Sequence, residues 1–354
     1  MHPTATEPEL VPRAGTNVSA LELALRPLRP VLDDARVTEL CINRPGEGLV
    51  ERYGVAADAW TLVTLPFATY DWCLRLAKLV AHTSRQRIDE ESPLLSATLP
   101  SGERVQFVIP PACTSGTVAI AIRRPSARTW SIDELADIGV FCLGREPVTY
   151  SLRGDDGALH ALLDAHRHVE FVREAVRQRR NIIVSGPTGS GKTTFTKALI
   201  REIPADERLI TIEDAAELVL DRHPNHVRLF YSKDGQGLAK AGPRRLLEAC
   251  LRMRPDRILL AELRGDEAYD YLRNVCSGHP GSITSVHAAS CALAFEQLAL
   301  LVRQNPAGRE LPSAELRALL SRLVDVVIQF ALDGGRRVIR EIWFDPNARR
   351  GGER

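Results

Sequence analysis

The chain has 354 residues, 44% hydrophobic and 26% charged, the balance of a folded globular protein large enough for two domains with separate cores. Lys and Arg total 46 against 45 Asp and Glu, a formal net charge of +1, which excludes the global basic excess of a nucleic-acid-binding chain but leaves local arginine patches open. Seven cysteines stand singly, with no C-x-x-C pair, no signal-peptide pattern and no apolar run of membrane-spanning length. The expected setting is therefore reducing and cytoplasmic, without a disulfide framework or a zinc site, and peripheral attachment to a membrane assembly is compatible with it.

In chain order, residues 1–17 are rich in Pro, Thr and Glu and predict a disordered N-terminus. A helix is predicted from Ala20, ended by Pro27 and Pro30. Val37–Asn43 alternates as a strand does, Arg44–Gly48 reads as a turn, and Leu49–Tyr53 as the returning strand. Tyr70–Ser84 carries Leu74, Leu76, Ala77, Leu79 and Val80 at helical spacing. Leu94–Leu99, Arg104–Ile109 and Val118–Arg123 predict three further strands, completing an α+β domain over residues 18–125. Residues 126–164 mix a short helical stretch, Asp133–Asp137, with polar, turn-rich sequence and predict the inter-domain linker. From 165 to 346 strands and helices alternate, the mark of a parallel α/β sheet. Helices are predicted over Ala165–Arg179, Arg244–Met253, Asp266–Cys276, Ser290–Arg303 and Pro312–Arg322. Strands are predicted at Asn181–Ser185, Arg208–Glu213, His226–Tyr231, Arg257–Glu262 and Ser282–His287, with a closing pair, Val324–Phe330 and Arg337–Phe344, joined through Asp333-Gly334-Gly335. Residues 347–354 predict a flexible tail.

Gly186-Pro187-Thr188-Gly189-Ser190-Gly191-Lys192-Thr193 fits G-x-x-x-x-G-K-[ST] at every fixed position. An apolar strand precedes it and a helix-compatible run from Thr194 follows, the context that a phosphate-binding loop requires. Glycines let backbone N–H groups converge on phosphates, and the helix start adds the positive end of its dipole. Gly186 through Thr194 are expected to hold a nucleoside triphosphate, with Lys192 on the β- and γ-phosphates and Thr193 on Mg²⁺.

Hydrolysis also needs a held Mg²⁺ and an oriented water. Strand Ile258–Glu262 is apolar up to its C-terminal edge, where open α/β sheets bind ligands, and it ends in a carboxylate. The usual acid pair there is Asp-Glu. Here Ala261 comes first, so Glu262 alone is expected to organise the Mg²⁺ shell or polarise the attacking water. Glu213-Asp214, with Glu217 beyond, offers a second carboxylate for water or Mg²⁺, although such pairs are also common at helix N-termini, where the dipole favours them. His287 ends a strand and is a candidate reporter of nucleotide state through hydrogen bonding; a structural histidine is the plainer reading, as it is for His279 in the turn Ser277–Gly281. Arg104 and the pair Arg123-Arg124 lie at strand positions of the first domain, forked donors suited to a γ-phosphate arriving from another domain or subunit. Arg264 is placed for similar work within the second domain. Each arginine taken singly reads as solvated surface.

Together these strings resemble the traffic ATPases of type IV secretion systems, the VirB-eleven family of the wider secretion ATPase superfamily. The carriers are Thr38-Glu-Leu-Cys-Ile-Asn-Arg-Pro-Gly, Ala121-Ile-Arg-Arg-Pro-Ser, Gly186 to Thr194, Thr211-Ile-Glu-Asp, Leu251-Arg-Met-Arg-Pro-Asp-Arg-Ile-Leu-Leu-Ala-Glu-Leu-Arg-Gly and Ser277-Gly-His-Pro-Gly-Ser-Ile-Thr-Ser-Val-His-Ala. The resemblance implies an α/β fold in which a RecA-like P-loop NTPase domain follows a smaller α+β N-terminal domain. It implies a homo-hexameric ring with ATP and Mg²⁺ held between domains, and cytoplasmic and inner-membrane components of a secretion channel as partners. It makes Glu213-Asp214 the family's aspartate box, Glu262 its Walker B glutamate, and His279 and His287 its histidine box. Ala261 is in keeping, since the superfamily commonly has a small residue there. Arg104 and either Arg123 or Arg124 match positions from which the family's first domain reaches the phosphates. The chain lacks the four-cysteine insertion of type II secretion ATPases and the Ala-Ile-Arg-Asn stretch of pilus retraction ATPases.

The expected activity is ATP hydrolysis driving domain movement, for substrate export or for pilus and channel assembly. A nucleotide-sensing scaffold that binds without turnover is the alternative, and Glu262 and Glu213 weigh against it. A RecA-like DNA helicase is disfavoured by the near-zero net charge and by the lack of interleaved basic and aromatic residues, so no direct nucleic-acid binding is expected.

Overall fold

A computed structural model describes residues 19–53, 60–125, 131–137, 155–232 and 237–349. The expected N-terminal disorder, much of the expected linker and the end of the expected tail lie outside these residues.

Ser19 caps α1 (Ala20–Leu25) in a reciprocal capping box with Glu22. The helix ends at Leu25, ahead of Pro27 as expected, and the prolines also open new turns. A 3₁₀ turn at Arg26–Leu28 and α2 (Arg29–Leu32) each carry proline in their first positions, where the missing N–H is not needed. Strands β1 (Val37–Ile42), β2 (Gly46–Arg52), β3 (Thr61–Leu65), β4 (Leu94–Thr98), β5 (Arg104–Val108) and β6 (Ala119–Arg123) form one antiparallel sheet in the order β3-β2-β1-β6-β5-β4. One face packs on α1 and α3 (Tyr70–Thr83), burying Leu25, Leu76 and Val80 against Leu40, Phe107 and Ile120. The other face, through Cys41, Val108 and Ala121, shares a core with Ile210, Leu229 and Leu247 of the second domain. β3 is absent from the sequence-based prediction because it is an edge strand with one buried side chain, Leu65, and no alternation to read.

The short α4 (Ile132–Asp137) is followed by α5 (Asp156–Asp164) and α6 (His168–Arg177). Part of the segment expected to be linker is therefore a helix of the second domain: Leu159 of α5 is fully buried in a cluster with Phe171 of α6. The chain turns between these helices at His166, which has a positive φ of 54°. Strands β7 (Ile182–Ser185), β8 (Leu209–Glu213), β9 (His226–Phe230), β10 (Arg257–Leu260), β11 (Ile283–Val286), β12 (Val326–Asp333) and β13 (Arg336–Trp343) form two blocks, β9-β8-β10 and β11-β7-β12-β13. All pairings are parallel except β12 with β13. The blocks meet at β10 and β11, where Ser282 Oγ donates to Ile258 O at 2.6 Å, Ser285 Oγ to Ala261 O at 2.9 Å, and Leu263 N to Ser285 O at 2.9 Å. Around the strands lie α7 (Lys192–Arg201), α8 (Pro243–Cys250), α9 (Glu267–Cys276), α10 (Cys291–Val302), α11 (Pro306–Arg309), α12 (Ser313–Leu323) and α13 (Pro346–Arg349).

The two domains are joined by polar contacts as well as by the shared core. Arg208, fully buried, donates to Met253 O at 2.8 Å and across the domain boundary to Asn43 Oδ1 at 2.9 Å. Arg254 pairs with Glu51 at 2.7 Å, and Phe230 N donates to Ala112 O at 2.9 Å. Arg208 and Arg254 stand just before β8 and β10, at the N-terminal edge of the parallel strands, while Phe230 ends β9, so the first domain lies against that edge and along β9. The phosphate loop leaves from the opposite edge.

Candidate nucleotide site

The loop between β7 and α7 curls at Gly189 (φ 76°) and Gly191 (φ 98°), a backbone region that residues with a Cβ avoid. Gly191 is the N-cap of α7 and supplies no side-chain cap, so the helix's first N–H donors are left for a ligand. They open into a cavity of about 320 Å³ lined by Thr188, Gly189, Gly191, Lys192, Thr193, Thr194, Glu262, Arg264, Ser285, His287 and Arg337. Lys192 is 8% exposed, and its Nζ donates to Gly186 O at 2.7 Å and to Pro187 O at 3.0 Å. Burial holds its ammonium below the ordinary lysine value, with Glu262 drawing it partly back.

From Lys192 a line of charged groups crosses the strand ends. Lys192 Nζ stands 3.4 Å from His287 Nδ1 at the end of β11, and His287 Nε2 lies 2.6 Å from Glu262 Oε1 just past β10. Glu262 Oε2 accepts from Arg264, which raises the arginine's pKa further, and Arg264 also reaches Asp214 at 3.3 Å.

The aspartate-box pair divides its labour. Glu213 is fully buried and its oxygens are spoken for: Oε1 accepts from Thr211 Oγ1 (2.7 Å) and Arg228 Nε (3.0 Å), Oε2 from Glu217 N (3.0 Å), Leu218 N (2.9 Å) and Arg228 (3.0 Å). It is not free to hold water or Mg²⁺. Asp214, by contrast, lines a cavity of about 250 Å³ with Thr193, Thr196, Glu262 and Arg264. Of the pair, Asp214 and not Glu213 borders a cavity, because Glu213 faces inward from β8 while Asp214 follows the strand end.

Arg104, Arg123 and His279 are elsewhere. Arg123 lies directly opposite Glu39 on β1 and Arg104 on β5, so the three share one sheet face. Arg123 lines a cavity of about 330 Å³ with Glu39, Arg179, Arg254, Asp256 and His279, and a second cavity with Arg104 and Arg252. Arg179, Asp256 and His279 precede β7, β10 and β11, whereas the phosphate loop follows β7. With strands of four residues at ~3.3 Å each, the arginine cavity is roughly 13 Å or more from the loop. Of the pair at the end of β6, Arg124 is tied back to Asp34 O at 2.6 Å, and Arg123 is the one that faces the cavity. Within one chain neither Arg104 nor Arg123 meets the loop.

A family model described as "Type II/IV secretion system protein" matches residues 68–333. The type IV secretion system protein VirB11 of Brucella suis is 48% identical over 337 residues, covering 94% of this chain and 92% of the relative. Protein VirB11 of Agrobacterium tumefaciens is 42% identical over 335 residues, covering 94% and 96%. This chain belongs to the VirB11 family of type IV secretion system ATPases. A crystal structure of the Brucella suis VirB11 ATPase in complex with sulphate superposes with a TM-score of 0.88 over 94% of this chain and 96% of that one. The VirB11-family fold thus brings together Lys192, Thr193, Glu262 and His287 from separate strands. It also brings in Arg337, which no sequence motif marks because it arrives from β13, far along the chain.

Proposed function

We propose that this chain hydrolyses ATP as one subunit of a homo-hexameric ring, on the cytoplasmic side of a type IV secretion channel, and powers export or assembly through domain movement. The observation that supports this most is the meeting of Lys192, His287 and Glu262 at the uncapped N-terminus of α7. Lys192 turns from the Gly186 and Pro187 carbonyls to the β- and γ-phosphates. Glu262 orients the water that attacks the γ-phosphorus and takes its proton as the bond to the ADP oxygen breaks. His287, between them, registers the γ-phosphate by exchanging contacts with it.

The residues present fit Mg²⁺. Thr193, Asp214 and Glu262 border one cavity, a set of hydroxyl and carboxylate oxygens of the hard kind that Mg²⁺ takes. Bound there, Mg²⁺ would supply charge neutralisation to the polyphosphate. Thr193 would be its direct ligand, and Glu262 and Asp214 would hold its water shell.

Arg104 and Arg123 enter this reading through a second copy. A phosphate loop at one edge of the strands and a cluster of arginines at the other are complementary surfaces on opposite ends of one molecule. Such head-to-tail contacts close into rings. Peripheral attachment to the membrane is compatible with this reading, and no helix among the described residues is long and apolar enough to cross a bilayer.

Phosphate release by the purified chain tests the reading. Wild type turns over, Lys192→Ala falls at least ~100-fold with the loss of phosphate charge stabilisation, and Glu262→Gln keeps ATP affinity while hydrolysis slows by a similar factor. ATP binding by wild type without phosphate release would favour the scaffold alternative.

A further inference from the structure

The wall of the nucleotide cavity opposite Glu262 is built by the β12–β13 hairpin. β12 pairs with β7 only from Val326 to Gln329, level with Ser185, and then continues to Asp333 past the point where β7 becomes the phosphate loop. The overhang rests on the loop. Phe330 Cβ is 2.9 Å from where a Cβ on Gly186 would stand, and the Phe330 and Phe195 rings pack with centroids 5.0 Å apart. On the returning strand Arg337 lies opposite Leu332. Its stem crosses Gly191, with Cδ 3.0 Å from the position of a Cβ there. Arg337 has neither an ion pair nor a hydrogen bond among the described residues, although it lines the cavity. An arginine that packs its stem on the phosphate loop and leaves its guanidinium unpaired is available to a ligand at no cost in broken contacts.

The direction of the bound polyphosphate follows from the same cavity. Lys192, His287 and Glu262 mark the γ-phosphate end, on the β10–β11 side. β12 and β13 lie on the other side of β7, so a nucleotide with its γ-phosphate at Glu262 points its nucleoside toward the hairpin. No Phe, Tyr or Trp lines this cavity, and its other planar side chains, His287 and Arg264, stand with Glu262 at the γ-phosphate end. A base arriving at the hairpin end meets the Arg337 guanidinium, and guanidinium planes stack on π-faces.

Resting on the nucleotide reading above, we propose that Arg337 caps the nucleoside end of the site and stacks its guanidinium on the purine base, so that the hairpin tip sets nucleotide affinity apart from the hydrolytic groups. Arg337 is then a binding residue for the base, not a phosphate contact.

The test compares ADP with inorganic tripolyphosphate as competitors of a fluorescent ADP analogue, both with Mg²⁺, on the full-length protein. Arg337→Ala weakens ADP about tenfold and leaves tripolyphosphate unchanged, since the base supplies the lost contact. Arg337→Lys stays close to the alanine variant, because an ammonium keeps the charge and loses the plane. Arg336→Ala, one position along and outside the cavity, keeps wild-type ADP affinity and controls for the fold of β13. Equal weakening of ADP and tripolyphosphate by Arg337→Ala makes the residue a phosphate contact and overturns the proposal, as does unchanged ADP affinity. Wild-type protein that binds neither competitor overturns the nucleotide reading itself, a separate failure.

Discussion

Two adjacent carboxylates show how much one position matters. Glu213 has no exposed surface and five donors converge on it, so its removal leaves Arg228 and two backbone N–H groups without their partner. Breaking a buried, hydrogen-bonded ion pair in this way costs about 3–5 kcal/mol. Glu213→Ala is therefore expected to lower the melting temperature by many degrees. Asp214 shares its ion pair with an arginine side chain that is 41% exposed, and such pairs contribute about 0–1 kcal/mol. Asp214→Ala should melt near wild type and hydrolyse ATP more slowly. Thermal melts paired with phosphate release separate the two, and the assignment fails if Glu213→Ala keeps its stability while losing turnover. The acid pair is visible in the sequence, but which member faces the ligand is not. The strand end at Glu213 is read correctly, but the partners that hold Glu213 inward, Arg228 on β9 and the Glu217 and Leu218 amides, are supplied by the fold.

At the scale of elements, the antiparallel ladder β1-β6-β5 sets Glu39, Arg123 and Arg104 side by side across the first sheet. Glu39 is 2% exposed, and burial pushes its carboxyl from the ordinary 4.5 up to about 7, with Arg123 and Arg208 drawing it only partly back. A carboxyl with a raised folded-state pKa holds its proton in the folded chain after the unfolded chain has released it. Its contribution is therefore full below pH 4.5 and lost as pH rises from there to about 7, on the order of 3 kcal/mol in all. Glu39→Gln should raise the melting temperature at pH 8 and change it little at pH 4. An equal effect at both pH values would show that burial of the charge is not what the substitution relieves. This ladder could not be assembled from sequence, where its members are separated by most of a domain. Local signals did suffice for β7, α7, β8, β10 and β11, because apolar runs between turn residues describe buried parallel strands directly. They failed for β3, which buries too little, and for α5, whose apolar face is explained only by the α6 it packs on.

In the whole molecule the phosphate loop and the arginine cavity lie at opposite ends of the parallel strands, and under the ring reading proposed above a solitary chain is an incomplete site. If neighbouring copies supply Arg123 to one another's loops, mixing Arg123→Ala subunits into wild type should depress ATPase activity more steeply than their fraction. Steady-state turnover across a titration of mixtures reads this out, and strict proportionality would place the arginine's work within its own chain. The sequence by itself determined the nucleotide chemistry: a contiguous loop whose glycines, lysine and threonine act within one turn of the chain, together with the order of motifs that marks the family. Only the tertiary structure decided which side chains share a cavity. It brought Arg337 from β13 over Gly191, turned Glu213 inward and Asp214 outward, singled out Arg123 from Arg124, and carried Arg104 and Arg123 away from Lys192. The physical reason is that a phosphate loop is a local backbone conformation, whereas a site closed around it depends on sheet order and domain docking, which are set by contacts between residues far apart in the chain.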